Sequence, residues 1–334
     1  MCKMRLLILL NVFVFSMSNY SQSITISNTS SMFCLATANI EQVVCEMETT
    51  KNYDDIILGI RKIERQIDSC DTLSKSSCRF YSMDRLMDIY LKRDNIGERK
   101  TILDSLNRPV TLPENLREKY VNTLYKEIEK LGKEKNEHGY EDLDWIENSS
   151  VYSIWLINAF NENLLQCEKY NKLYLLSQNP ITYKVNSDLI MLHLGGSGDP
   201  RAYSFLLQEH KKTANTIFDS YIVAGLAAYS SYAKDTEKIY LTQFMKNLIP
   251  NSSRTLYGER PLAALINLSD DSELGQLEEY IEYPCFPHYK YIDRLEKSRN
   301  SEYIPILERY LEKENLKDYS LLDKVTNALS RLRN

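Results

Sequence analysis

The sequence predicts an all-α protein assembled from consecutive antiparallel helix pairs, and three observations carry this. Apolar residues recur three and four positions apart over most of the chain, the spacing that lines one face of a helix. Glycine and proline number only 10 and 9 in 334 residues, well below the usual roughly 7% and 5%. Dinucleotide-binding sheets, phosphate loops and hairpin-rich sandwiches need glycine for positive φ or close backbone approach, so they are poorly supported here. Finally, residues suited to capping helices recur at near-constant intervals in the C-terminal half. With 43% hydrophobic and 26% charged residues, the chain can bury a large core and is not composed like a disordered protein.

Taken in order, the N-terminus carries Lys3 and Arg5, then a run from Leu6 to Phe15 that is apolar except for Asn11, then the small polar stretch Ser16 to Gln22. A basic start, an apolar run too short for a bilayer and a polar exit define a signal peptide over residues 1–21, with cleavage near Ser21. The expectation is an exported protein, periplasmic or secreted, with no stable membrane insertion after cleavage. Loss of Lys3 and Arg5 takes the 41 basic residues to 39 against 46 acidic ones, a net charge of −7. Such a chain is a poor partner for nucleic acid, whose binding needs a basic surface.

Cleavage also removes Cys2 and leaves six cysteines, an even number that invites disulfides in an exported chain: Cys34, Cys45, Cys70, Cys78, Cys167 and Cys285. The short separations pair Cys34 with Cys45 and Cys70 with Cys78, leaving Cys167 for Cys285. Buried thiols are the competing reading. No C-x-x-C pair is present, and His138, His193, His210 and His288 fall at no ligand spacing, so no metal or cofactor is expected.

Residues 22–131 form an N-terminal helical region behind a Ser/Thr/Asn-rich leader. Ile56, Ile60, Ile63 and Ile67 step by four, three and four behind the acidic start Asp54-Asp55, and Met83, Leu86, Met87, Tyr90 and Leu91 repeat the pattern. Leu116, Tyr120, Val121, Leu124, Ile128 and Leu131 form the clearest stripe, after Pro113. Residues 132–150 lose this period and predict a connection. Residues 151–334 then form a second helical region, opening on the apolar Trp155, Leu156, Phe160, Leu164 and Leu165.

In that region an apolar helix repeatedly gives way to a short turn and a second helix. The expected caps Asp199, Asp235, Asp271 and Ser301 lie 36, 36 and 30 residues apart, a period typical of stacked helical pairs. The turn Gly198-Asp199-Pro200-Arg201-Ala202, followed by Phe205-Leu206-Leu207, resembles the inter-helix link of HEAT-like repeats, in which glycine ends one helix, aspartate caps the next and proline occupies its first turn. The resemblance covers about residues 182–332. It implies a right-handed α-solenoid that binds a partner along a concave face, with no catalytic residues.

Two segments are candidates for a site. Gly195-Gly196-Ser197-Gly198-Asp199 lacks the Gly-Lys-Ser/Thr end of a phosphate loop and the final glycine of a nucleophile elbow. His193 and Ser197 are too close in sequence for triad geometry, so the segment reads as a link between helices. Tyr280, Tyr283, Phe286, Tyr289 and Tyr291 crowd twelve residues; they are either an exposed platform for a partner or, the favoured reading, a proline-bounded turn whose rings bury area. Acidic pairs such as Asp270-Asp271 and Glu278-Glu279 sit where helix starts and solvent faces place acids. The function expected is a non-enzymatic binding scaffold for a protein partner. An exported inhibitor or immunity protein and an envelope-polymer hydrolase of unfamiliar type are the alternatives.

Overall fold

The computed structural model describes residues 29–333 apart from 51, 71, 107–111, 139–142, 184, 215, 253–256, 284 and 313–318. The expected signal peptide, residues 1–21, lies outside the described residues. Every regular element among the described residues is helical. The chain divides into two compact units, the first ending at Lys126 and the second beginning at Glu127.

The first unit contains α1 (Thr29–Thr49), α2 (Tyr53–Ser69), α3 (Thr72–Tyr90), α4 (Ile96–Leu106) and the start of α5 (Glu114–His138). α1 packs on both α2 and α3, and α4 packs on the same two helices. The stripe of Ile56, Ile60, Ile63 and Ile67 is buried as its spacing predicts. α2 starts where Asn52 accepts a hydrogen bond from the Asp54 N–H (3.1 Å), with Asp54 and Asp55 at the positive end of the helix dipole. Leu91 departs from the expected stripe: α3 ends at Tyr90, and Leu91 is exposed.

Charged groups brace the unit from outside. Arg85 of α3 donates to both carboxylate oxygens of Glu41 on α1 at 2.9 Å, while the Tyr81 hydroxyl donates to the same carboxylate at 2.8 Å. Lys119 of α5 reaches Asp84 and Asp88 of α3 at 2.5 and 2.9 Å. The two-pronged arginine contact is the stronger kind of charged hydrogen bond, and here both partners are mostly shielded from water.

The second unit continues α5 and contains α6 (Leu143–Asn163), α7 (Gln166–Gln178), the single turn α8 (Pro180–Tyr183), α9 (Ser187–Gly196), α10 (Pro200–Thr213), α11 (Ile217–Tyr229), α12 (Asp235–Ser252) and α13 (Arg260–Leu268). A 3₁₀ helix over Leu274–Tyr280 follows, then α14 (His288–Ser298), a 3₁₀ turn at Ser301–Tyr303, α15 (Ile304–Glu312) and α16 (Tyr319–Arg333). α7, α9, α11, α13 and α14 pack each on the next, while α10 lies against α11, α12 against α13, and α15 against α16.

The expected connection over 132–150 is mostly helix, since α5 runs on to His138 and α6 begins at Leu143. Lys133, Glu134, Lys135 and Glu137 are good helix formers that carry no apolar stripe, so the helix leaves no periodic signal there. Gly132 is not a stop signal either. It is buried inside α5, where a Cβ would lie 2.5 Å from the Ile181 carbonyl oxygen.

The closest packing is between α9 and α11. A Cβ on Gly195 would lie 1.8 Å from the Gly225 carbonyl oxygen, and one on Gly225 would lie 2.7 Å from the Met191 carbonyl oxygen. The two glycines let the helix backbones touch. Beyond them Gly198 takes φ +68°, and a Cβ there would also strike the Tyr232 ring at 2.7 Å.

Of the four expected caps, Asp199 caps α10 as predicted, accepting from the Arg201 N–H at 2.9 Å. Neighbours do the work at the other three links. Glu237 accepts from the Lys234 N–H (3.3 Å) at the start of α12, Glu273 from the Asp270 N–H (3.2 Å) before the 3₁₀ helix, and Asn300 from the Glu302 N–H (3.0 Å). The period survives while the capping residue shifts, because several nearby polar side chains can satisfy the same exposed N–H groups.

Candidate functional site

α7 carries Tyr170 and Tyr174 one turn apart, so their rings stack with centroids 5.6 Å apart. Asp199 and Pro200 set the start of α10, whose next turns present Arg201, Ser204, Phe205 and Gln208 alongside those rings. Phe205 meets Tyr174 edge to face at 5.1 Å, and the Arg201 guanidinium lies 4.2 Å from the centre of the Tyr170 ring. The result is a shallow groove of about 430 Å³ walled by aromatic faces and rimmed by an arginine, a serine and a glutamine.

Arg201 is held from two sides. Its Nε and Nη2 donate to the Asp199 carboxylate at 3.0 and 2.7 Å, and its Nη1 donates to Asn171 Oδ1 at 3.3 Å. Asp199 therefore serves at once as helix cap and as counter-ion, and the hydrogen bond from Arg201 holds its carboxyl below the usual carboxylate range. Burial pushes the Tyr170 phenol up, so it stays a neutral donor and acceptor. The groove is thus aromatic and internally charge-balanced.

A second aromatic group lies on another side of α10, against α12. His210, near the end of α10, meets Phe244 edge to face at 4.8 Å, and Phe244 stacks on Tyr240 at 6.2 Å. Beside them Ile239 is 73% exposed and Tyr240 47%, large apolar side chains that nothing in the fold requires to face water. Tyr203 stacks on buried Tyr229 at 5.3 Å, and exposed Tyr232 covers Gly198. His210 is anchored from beneath: its Nδ1 lies 2.5 Å from the fully buried Asp219, whose other oxygen accepts from the Tyr257 hydroxyl at 2.6 Å. Arg260 ties the same corner together through both oxygens of Asp188 and the Ser220 carbonyl, all at 2.8 Å.

The residues singled out from sequence lie elsewhere. Ser197 is buried and its hydroxyl donates to the Leu194 carbonyl at 2.6 Å, a helix-end bond. His193 pairs instead with Asn158 Oδ1 at 2.8 Å, and burial lowers its pKa to about 4. The five-aromatic cluster divides. Phe286 and Tyr291 are core residues, with rings 5.3 Å apart and the Tyr291 hydroxyl donating to the Leu274 carbonyl at 2.9 Å. Tyr280 and Tyr283 are half-buried and in contact, while Tyr289 reaches the surface and pairs with Ser320. The acidic pairs hold ions in place: Asp270 binds Lys238, Asp271 binds Arg294 and Glu278 binds Arg309.

The cysteine pairings need correction. Cys34 and Cys45 lie eleven residues apart on the continuous helix α1, about 16 Å along its axis and far beyond a disulfide's reach. Cys167 is exposed and Cys285 half-buried, and each carries a thiol. Cys70 and Cys78 do meet, but at 2.9 Å between sulfurs, as thiols in contact rather than a bond. Proximity in sequence is a poor guide to disulfides within a single helix, because each residue there advances the backbone by about 1.5 Å in a fixed direction.

The groove was missed because its walls come from different helices; the i, i+4 pair Tyr170 and Tyr174 was its one local signal. No protein-family model, curated protein or solved structure matches the chain.

Proposed function

We propose that the protein is a non-catalytic helical scaffold, exported and periplasmic or secreted, that engages a protein partner through the aromatic faces of α7, α10 and α12. The observation that carries this reading is the pair of aromatic groups flanking α10, Tyr170, Tyr174 and Phe205 with Arg201 on one side and His210, Phe244 and Tyr240 on the other. Tyrosine and arginine on a rigid support make efficient contacts, since they bury large area with few rotatable bonds and keep a polar tip. The succession of packed helices in the second unit supports the reading of stacked antiparallel pairs, a solenoid of HEAT-like character. In such an array one side of each pair is left free to meet a partner.

The test is affinity capture from the producing cell's envelope and medium, using the wild type beside the surface variants Arg201→Glu and Ile239→Asp/Tyr240→Ala. Circular dichroism would first establish that both variants are folded. One protein recovered in stoichiometric amount by the wild type and lost by at least tenfold with the variants supports the proposal. Equal recovery by all three rejects these faces, and turnover of an envelope polymer by the wild type with no protein recovered favours a hydrolase.

A further inference from the structure

We infer that Cys70 and Cys78 form a thiol–disulfide couple in which Cys70 is the entering thiol and Cys78 the resolving one. Cys70 sits at the C-terminal cap of α2, and Cys78 lies within α3. Their sulfurs are 2.9 Å apart, and a bond needs them to close by less than about 1 Å, within side-chain rotation. Two contacts hold them there. The Cys70 thiol lies 3.3 Å from the Gln66 carbonyl oxygen, and Lys75 of α3 bridges to Asp68 of α2 at 2.9 Å.

Burial sets the order of events. Cys70 is half-exposed, whereas Cys78 is fully buried, so a small disulfide such as oxidised glutathione reaches Cys70 first. The Cys70 thiolate attacks one sulfur of that disulfide and its S–S bond breaks. One glutathione leaves as a thiolate and takes up the proton that Cys70 has lost, while the other remains on Cys70 as a mixed disulfide. Cys78 then loses its proton and attacks the Cys70 sulfur, expelling the second glutathione, which takes that proton. In all, two protein thiols are oxidised to one disulfide and one small disulfide is reduced to two thiols. Because the resolving sulfur is already in contact, the mixed disulfide is short-lived. Exposed Cys167 serves as an internal control, since an adduct there has no sulfur held in contact to resolve it.

The experiment treats the reduced full chain with oxidised glutathione, quenches with an alkylating agent at intervals, and maps peptides by mass spectrometry. Trypsin cuts after Arg65, Lys75 and Arg79 and so puts the two cysteines on separate peptides. The expected result is a cross-link joining these peptides, about 2 Da lighter than their sum, while Cys167 keeps an adduct about 305 Da heavier. Cys78→Ala should trap that adduct on Cys70, and Cys70→Ala should leave Cys78 unmodified over the same period. A lasting adduct on wild-type Cys70 without the cross-link overturns the couple. Modification of Cys78 in Cys70→Ala at the wild-type rate overturns the order. If Cys78→Ala does not fold, the wild-type time course still decides, by whether an adduct on Cys70 precedes the cross-link. None of these outcomes depends on the proposed partner surface.

Discussion

Replacing Gly195 by alanine isolates the contact between α9 and α11. In an ordinary helix this change is favourable by roughly 0.5–1 kcal/mol, because alanine has less backbone entropy to lose. Here the new methyl would lie 1.8 Å from the Gly225 carbonyl oxygen and 2.6 Å from its carbonyl carbon. A carbon and a carbonyl oxygen come no closer than about 3.3 Å, so the helices must part by roughly 1.5 Å. Ile190, Met191 and Leu194 on α9 and Ile222, Val223 and Leu226 on α11 are all buried around this contact. A gap of that size removes at least a quarter to a half of each dispersion contact across it. At roughly 0.5 kcal/mol for each of the six side chains, the loss is about 3 kcal/mol, and the net effect after the helical gain is about 2–2.5 kcal/mol. For a unit of this size that corresponds to a melting temperature roughly 5–10 °C lower. Both tryptophans, Trp145 and Trp155, lie in the second unit, so tryptophan fluorescence during heating or urea unfolding reports this transition. Gly196→Ala is the control, since a Cβ there meets nothing within 4 Å, and it should be neutral within about 0.5 kcal/mol. If Gly195→Ala proves as stable as Gly196→Ala, the close approach of the two helices is refuted.

Two further outcomes follow from buried polar groups. His193 is neutral in the folded protein because burial lowers its pKa from 6.5 to about 4, so the unfolded chain binds its proton first. Stability should therefore fall as pH drops from about 6.5 to about 4, by up to about 2–3 kcal/mol from this group. His193→Gln should flatten that part of the curve in urea titrations at each pH; an unchanged slope would contradict the assignment. Asp219→Ala leaves the Tyr257 hydroxyl and His210 without their shared acceptor and should cost about 2–4 kcal/mol. A loss below about 1 kcal/mol on urea unfolding would mean that the corner does not depend on it.

Local physics was the readable part of this chain. The four isoleucines of α2 announce their face because helical period alone decides it, and Asp199-Pro200 announces the start of α10 because capping is a contact between near neighbours. What stayed hidden depends on elements distant in sequence. Gly195 and Gly225 look like a turn residue and an unremarked helix position until α9 and α11 are laid together. Tyr174 and Phe205 belong to separate helices, and neither shows in sequence that it shares a groove with the other. The crowded aromatics near Pro287 read as a turn whose rings bury area, and Phe286 and Tyr291 do so, but density along the chain does not show the division that puts Tyr291 inside and Tyr289 outside. Cys34 and Cys45 misled because spacing along one helix measures distance rather than proximity, whereas Cys70 and Cys78, on two helices joined by a short turn, do meet.

The order in which the helices of the second unit meet also bears on how it folds. Its principal contacts join elements that follow one another closely along the chain, from α7 and α9 through to α15 and α16. Little loop entropy has to be lost before such contacts form, so folding can begin in any neighbouring group of helices and spread outward, on the fast side for a chain of this length. The same arrangement distributes unfolding unevenly. Amide hydrogens at the tightly seated α9 and α11 should exchange last. The close glycine contact between α9 and α11 thus marks the part of the unit expected to open last.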